Sequence, residues 1–236
     1  MSWAPKTAMV LAGGLGTRMR PLTNDRPKAL VPVSGKCLID HTLDRLAEVG
    51  VETAVVNVHH FADMVEEHLA HRTSPKVVIS DERAGLLDSG GGVAKALPCL
   101  GEEPFFVANI DIVWIEGAHP ALQTLADAWN AERMDICILL APRAQTYGYE
   151  RPEGFVRDEQ GRLTHSNSLD PLPPYNNIGF QIMKPQVVKG RPAAFSIVPI
   201  WKQLSAEGRL HGAVMDGYAL HVSDPEALAY VEAHLK

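Results

Sequence analysis

The run Leu11-Ala12-Gly13-Gly14-Leu15-Gly16-Thr17-Arg18-Met19-Arg20-Pro21-Leu22-Thr23, with Arg26-Pro27-Lys28 just beyond it, sets three glycines and several cations directly behind an apolar stretch, Thr7 to Ala12. Glycines reach positive φ cheaply and carry no Cβ, so Gly13, Gly14 and Gly16 can turn their amides toward one point and admit phosphate oxygens to the backbone. Arg18 and Lys28 are placed to neutralise a triphosphate and the charge that moves to its leaving group. Arg20 and Arg26 read as solvated surface cations. Two familiar phosphate loops fail on spacing. A dinucleotide fingerprint needs Gly-x-Gly-x-x-Gly opening a helix, yet Gly14-Leu15-Gly16 leads to Met19 and then Pro21, which disfavours an NAD-linked dehydrogenase. A P-loop ends in Gly-Lys-Ser or Gly-Lys-Thr, and here Gly16 precedes Thr17-Arg18.

Further along, Asp88-Ser89-Gly90-Gly91-Gly92 precedes a short helix, where a base or ribose can lie against glycine backbone and accept its amides; a tight structural turn is the alternative. Asp111 closes an apolar strand, and in open parallel sheets ligands gather at the carboxyl ends of strands. Ser89 lacks the Gly-x-Ser-x-Gly frame of a hydrolase nucleophile. His59, His60, His68 and His71 have no cysteine or carboxylate spacing that completes a tetrahedral zinc site. Trp114 and Trp129 read as core or cleft wall, since no basic residues interleave them as in a nucleic-acid stacking platform.

The elements that must hold these residues alternate. Thr7 to Ala12, Thr53 to Val58, Lys76 to Ser80, Pro104 to Asn109 and Asp135 to Ala141 read as strands, and the spacing predicts helices around 38–49, 62–69, 90–97, 120–129 and 225–235. Such alternation means a mostly parallel, three-layer α/β/α sheet. After Pro142 the texture changes to short strands and a proline-rich passage, Pro171 to Pro174, read as a smaller mixed region over one end of the sheet. No linker divides the chain, so residues 1–236 read as a single domain with a nucleotide-binding half, 1–141, and a second half, 142–236, that carries the last helix.

Composition sets outer bounds. With 46% hydrophobic residues in 236, one sizeable core is expected. The net charge of −6 excludes a broad basic face for nucleic acid, so any functional cations are local. The cysteines, Cys37, Cys99 and Cys137, are isolated and odd in number, which fits a reducing cytoplasm rather than a disulfide framework. Met1 to Lys6 has no leader pattern and no apolar run is long enough to span a membrane, so no membrane association is expected.

On its opening motif, Leu11 to Thr23 with Pro27-Lys28, the chain resembles the sugar-phosphate nucleotidyltransferases, which join a nucleoside triphosphate to a sugar 1-phosphate. Val31-Pro32-Val33, Ser89-Gly90-Gly91-Gly92 and Ala94-Lys95-Ala96-Leu97-Pro98 bring it nearest the compact bacterial N-acetylmuramate 1-phosphate uridylyltransferases, with mannose 1-phosphate guanylyltransferases and glucose 1-phosphate thymidylyl- or uridylyltransferases close competitors. The resemblance implies a Rossmann-like fold and Mg²⁺ as cofactor, with Leu11, Ala12, Gly13, Gly14, Gly16 and Thr17 around the nucleotide. It implies that Arg18 stabilises the triphosphate and departing pyrophosphate, and that Lys28 sits beside the α-phosphate and the sugar phosphate. Gly91 and the Leu87-Asp88 stretch would hold the base with Glu82 lining the pocket, Asn109 would lie at the nucleotide, and Asp111 would bind Mg²⁺. Asn177 and Gly179 are the implied sugar-site residues, though a turn between strands accounts for them nearly as well.

Two departures from the family pattern stand out. Asn109-Ile110-Asp111 has a β-branched residue where relatives carry a small one, which would narrow the space beside the nucleotide. His221-Val222-Ser223-Asp224 stands where relatives have Asp-Val-Gly-Thr, whose aspartate is a second metal ligand. His221 can ligate directly, act through water, or leave the oxygens to Asp224 and substrate phosphates; a single-carboxylate Mg²⁺ site is the first-ranked arrangement. The expected reaction is in-line attack of a sugar 1-phosphate on the α-phosphorus, with UTP and N-acetylmuramate 1-phosphate preferred. A GTP-dependent mannose 1-phosphate enzyme and a non-catalytic nucleotide-binding module are the alternatives, in a monomer or simple homodimer.

Overall fold

In a computed structural model, residues 3–150 and 152–235 are described, so Met1 and Ser2 of the N-terminal stretch read above lie outside the described residues. The first half runs β1 (Thr7–Leu11), β2 (Pro32–Val33), β3 (Lys36–Cys37), α1 (Leu38–Glu48), β4 (Thr53–Val58), α2 (Ala62–Leu69), β5 (Lys76–Asp81), α3 (Asp88–Leu100), β6 (Phe105–Asn109), β7 (Ile112–Glu116), α4 (Ala121–Ala128) and β8 (Ile136–Pro142). The second adds β9 (Thr146–Tyr147), β10 (Gly154–Arg157), β11 (Leu163–Ser166), β12 (Tyr175–Met183), α5 (Val198–Ala206), β13 (Leu210–Val214), β14 (Gly217–His221) and α6 (Pro225–His234).

The strands of the first half read as continuous apolar runs because they are covered on both faces. Side chains alternate across a strand, so Ala8 and Val10, Ala54 and Val56, and Phe106 and Ala108 enter a core shared with α1, α2 and α4. Their neighbours Met9, Val55 and Val107 enter a second core under α3 and α5. The expected three-layer α/β sheet is thereby formed, with β5, β4, β1 and β6 parallel in that order.

The second half departs from the expected small cap. β12 is inserted antiparallel between β6 and β8, both of the first half, and β13 pairs parallel with β8 at the far side. β10 and β11 extend the same sheet from β12. The alternation was obscured locally because Asn176, Asn177, Gly179 and Gln181 interrupt the apolar residues of β12, and a register shift falls between Asn177 and Gln181. A separate small sheet pairs β7 antiparallel with β14, and β14 with β9. α3 also runs longer than the expected 90–97.

Candidate active site

The glycine loop leaves β1 at the carboxyl edge of the parallel strands. Its first amides are not free for phosphate: Asn57 Oδ1 accepts from Ala12 N at 2.7 Å and Gly13 N at 3.2 Å. Among the described residues no chain acceptor takes the amides of Gly14, Leu15, Gly16 or Thr17, which leaves the distal part of the loop as the phosphate cradle. Gly16 needs its glycine twice over, with φ at 62° and a Cβ that would sit 3.1 Å from Lys28 Cβ. Thr23 Oγ1 donates to Gly16 O at 2.8 Å and ties the loop to the segment that leads to Lys28.

Asn57 is the residue that sequence reasoning missed. It is 5% exposed, and its Nδ2 donates to Glu82 Oε1 at 3.1 Å, so one amide couples the phosphate loop to the end of β5. The signal was present as a lone polar side chain in the apolar run Ala54 to Val58. Glu82 is buried behind it, and burial pushes its carboxyl up against the opposing effect of the Asn57 amide. A Cβ on Gly92 would stand 3.0 Å from Glu82 Oε1 and 3.1 Å from Asn57 Nδ2, so the third glycine of its run makes room for this pair.

Lys28 Nζ lies 2.8 Å from Asp111 Oδ2, and His221 Nε2 lies 3.3 Å from the same oxygen. Burial alone would raise the Asp111 carboxyl, but the Lys28 ammonium and His221 together hold it well below the usual carboxylate range. The β7–β14 ladder brings them together by pairing Ile112 with His221, and Val222 N donates to Asp111 O at 2.8 Å. His221 Nδ1 is 3.0 Å from Gly148 O. The Tyr149 ring packs 5.2 Å from the imidazole, its hydroxyl buried with no hydrogen-bond partner among the described residues.

These groups edge a cleft of about 400 Å³ that Arg18, Tyr149, Phe155, Asn177, Trp201 and His221 help to line. An adjoining cavity of about 160 Å³ is shared with Asn177 and Trp201 and reaches Leu11, Asn109 and Gly179. Arg18, Asn177 and His221 thus line one opening, and Asp111 with Lys28 stands directly behind His221. Arg18 is exposed at its mouth, close enough to Asp224 to lower that carboxyl after the larger effects of the Ala227 amide and Ser223 hydroxyl.

Several of the expected site residues also have structural duties. The amides of Gly90 and Gly91 donate to Phe195 O at 2.9 and 3.1 Å, and a Cβ on Gly91 would meet Ala193 O at 2.4 Å. Those glycines therefore admit the 193–195 segment rather than present amides to a base. Asp88 is exposed at φ 61°, with its carboxylate on the amide of Ser89. Gly179 N donates to Asn177 Oδ1 at 2.8 Å, and a Cβ there would lie 2.5 Å from Ile112 Cδ1, so the glycine serves a strand irregularity at φ 77° as well as the cavity wall. Ile110 points into the core, 5% exposed, and does not narrow the cleft. Asp224 caps α6: Oδ1 accepts from Ala227 N at 2.9 Å and Oδ2 from Ser223 Oγ at 2.6 Å.

The four histidines set aside for zinc do not converge among the described residues. His68 instead meets Asp40 and Cys37, with ligand atoms all within 4.8 Å of one another, but Asp40 is already paired with Arg72 at 3.4 Å.

The family is decided by comparison with known proteins. Residues 8–192 match the MobA-like NTP transferase domain. The chain belongs to that family. It is 51% identical, over 100% of its length and 99% of the relative's, to the N-acetylmuramate alpha-1-phosphate uridylyltransferase of Caulobacter vibrioides. The protein of the same name from Neisseria meningitidis is 44% identical over 50% of this chain and 52% of its own. Among solved structures, the inositol-1-phosphate CTP transferase from T. maritima superposes with a TM-score of 0.79 at 18% identity, covering 99% of each chain, and so shows the shared NTP transferase fold.

Proposed function

We propose that this NTP transferase joins UTP to N-acetylmuramate 1-phosphate, giving the uridine-diphosphate sugar, a cell-wall precursor, and pyrophosphate. The observation that carries the reading is the 51% identity to the Caulobacter vibrioides uridylyltransferase across both chains. A mannose 1-phosphate guanylyltransferase is the weaker reading, since the Xenopus laevis protein of that kind is 26% identical over 93% of this chain and 61% of its own.

In this reading a phosphate oxygen of the sugar 1-phosphate attacks the α-phosphorus in line, a new P–O bond forms, and the bond to the bridging oxygen breaks to release pyrophosphate. The nucleophile is already ionised near neutral pH, so the protein supplies no base. It supplies position and charge. Lys28 stands where an ammonium can serve both the α-phosphoryl group and the incoming phosphate, Arg18 meets the triphosphate at the mouth, and the distal amides of the loop hold the phosphates that leave. The donor set fits a divalent cation, because Asp111, held ionised beside Lys28, offers a hard oxygen with His221 next to it. Bound there, Mg²⁺ or a similar ion would add positive charge where the phosphoryl oxygens gather.

Pyrophosphate release from UTP, GTP, dTTP, CTP and ATP against N-acetylmuramate, N-acetylglucosamine, glucose and mannose 1-phosphates tests the proposal. Dominant turnover of UTP with N-acetylmuramate 1-phosphate is expected. Dominance of GTP with mannose 1-phosphate would replace it, and nucleotide-dependent thermal stabilisation without turnover would return the non-catalytic binder.

A further inference from the structure

We propose that the smaller cavity receives the acyl group of the sugar substrate, and that Gln181 selects for that group by donating a hydrogen bond to its carbonyl oxygen. The inference rests on the transferase reading for the sugar itself, N-acetylmuramate 1-phosphate, whose acetamido substituent is such a group.

Gln181 stands where an apolar residue is expected. On one face of β12, Ile178, Phe180 and Ile182 are fully buried in the core shared with α1, α2 and α4. On the other face Gln181 pairs with Val107 of β6 and Ile138 of β8, both buried in the second core, and is itself 7% exposed. A buried amide costs stability unless its polar atoms are engaged, and only one end of this amide is engaged within the chain. Trp201 Nε1 donates to Gln181 Oε1 at 3.0 Å. An indole nitrogen can only donate, so this contact assigns the oxygen end of the amide and leaves the NH₂ end to find its own partner. Nε2 makes no hydrogen bond among the described residues, and it is not one of the atoms sealed from solvent, so its two N–H donors are open to what enters the cavity that Gln181 lines. Trp201 is held in turn by the Phe155 ring, edge-on at 5.8 Å.

The cavity suits a small neutral group that carries a carbonyl. It holds about 160 Å³ and adjoins the larger cleft, with Asn177, Val198 and Trp201 common to both. Leu11, Val93, Val107 and Ile197 give it an apolar wall, and among the described residues none that lines it is charged. A phosphate or carboxylate would be desolvated there with no opposite charge to meet it. Asn177 Oδ1 accepts from Gly179 N at 2.8 Å, so this side chain also has its oxygen committed and its NH₂ left to donate. Two amide donors set against an apolar wall match a carbonyl oxygen with a methyl group beside it. A uracil edge is the poorer match, because its ring N–H needs an acceptor and the oxygens of Gln181 and Asn177 are both taken.

The test uses the full chain, ¹³C- and ¹⁵N-labelled, with N-acetylmuramate 1-phosphate and with its analogue carrying a 2-hydroxyl in place of the acetamido group. The Gln181 side-chain amide signal, traced to its own backbone resonances, should shift with the first and stay in place with the second. In turnover the unaltered protein should favour the acetamido sugar by about tenfold or more in kcat/KM. Gln181→Met, which keeps the length of the side chain but cannot donate, should bring that ratio near one through the KM for the sugar, with the KM for UTP unchanged. A glutamine that merely holds Trp201 would cost both sugars equally, and that result overturns the proposal. So does an amide signal that does not distinguish the two sugars, or one that moves with UTP alone, which would give the cavity to the base. The signal is read on the unaltered protein, so the proposal stays falsifiable if Gln181→Met does not fold. Turnover without the shift overturns the acyl assignment and leaves the transferase reading standing; the shift without pyrophosphate release does the reverse.

Discussion

Two aspartates at opposite edges of one sheet each sit between two basic partners, and they differ in what their partners have left to give. Asp135, just before β8, accepts from Arg209 at 2.7 and 3.0 Å and from Lys184 at 2.8 Å. Those cations are themselves consumed, Lys184 by Ala131 O at 2.6 Å and Arg209 by Glu132 O at 2.8 Å. Asp111, just after β6, has Lys28 and His221, but beside it a buried tyrosine hydroxyl has no hydrogen-bond partner among the described residues. A closed cluster joins β8, β12 and β13. The open one lies beside the cleft with capacity to spare, and spare capacity in a buried polar cluster is what a ligand completes.

The sharpest way to break this comparison is to remove one charge from each cluster and ask what is lost. Lys28→Ala should lower kcat for the transfer by about 10²–10³ with a smaller change in UTP affinity, the scale of deleting one electrostatic stabiliser of the transition state. Its melting temperature should move little, because Asp111 retains His221. A stability loss that accounts for the missing activity would make the open cluster structural like the closed one.

Asn57→Ala comes next. It leaves Ala12 N and Gly13 N without their shared acceptor and Glu82 Oε1 without its donor, at a cost of about 1–3 kcal/mol. Denaturant unfolding should show that loss, and calorimetry should show weaker UTP binding because the loop is no longer held. Unchanged affinity would mean the distal loop orders itself without Asn57.

Asp135→Asn should act on stability alone, by about 1–2 kcal/mol after allowing for partial exposure. Arg209 and Lys184 hold the carboxyl down at about 2, below the ordinary value near ~3.9. A depressed folded value contributes stability that is complete above the unfolded value and lost as the pH falls through the folded one. The difference between the two proteins should therefore be full above about pH 4 and close as pH approaches 2. A constant gap across that window would assign the cost to packing. Turnover per folded molecule should match the unaltered protein.

The same contrast explains how much was legible in the chain. β1, β4 and β6 announce themselves because strands buried on both faces need unbroken apolar residues, and the phosphate loop announces itself because close phosphate approach demands glycine. Local sequence carries both. Asp111 was found from its place at a strand end, but its meeting with His221 depends on β7 pairing with β14 across more than a hundred residues, which no local period encodes. Gly90 and Gly91 misled for a related reason: glycine reports a close approach without saying whether a ligand or the chain's own 193–195 segment is what approaches.

The smallest expected effect separates the two kinds of carboxylate within the cleft itself. Asp224 helps to line it, yet its oxygens cap α6, whose Tyr230 stacks on Tyr147 at 3.5 Å, two residues before Tyr149. Asp224→Ala should remove about 1 kcal/mol of capping and lower the melting temperature by about 2–4 °C. Asp224→Ser, which can accept from Ala227 N in the same position, should restore both stability and turnover. Because serine is a poor metal ligand, the Ser variant is the discriminating one: if it melts normally but binds the divalent cation more weakly, Asp224 belongs with Asp111 in the open cluster, and if cation binding is unchanged its carboxylate is structural despite facing the cleft.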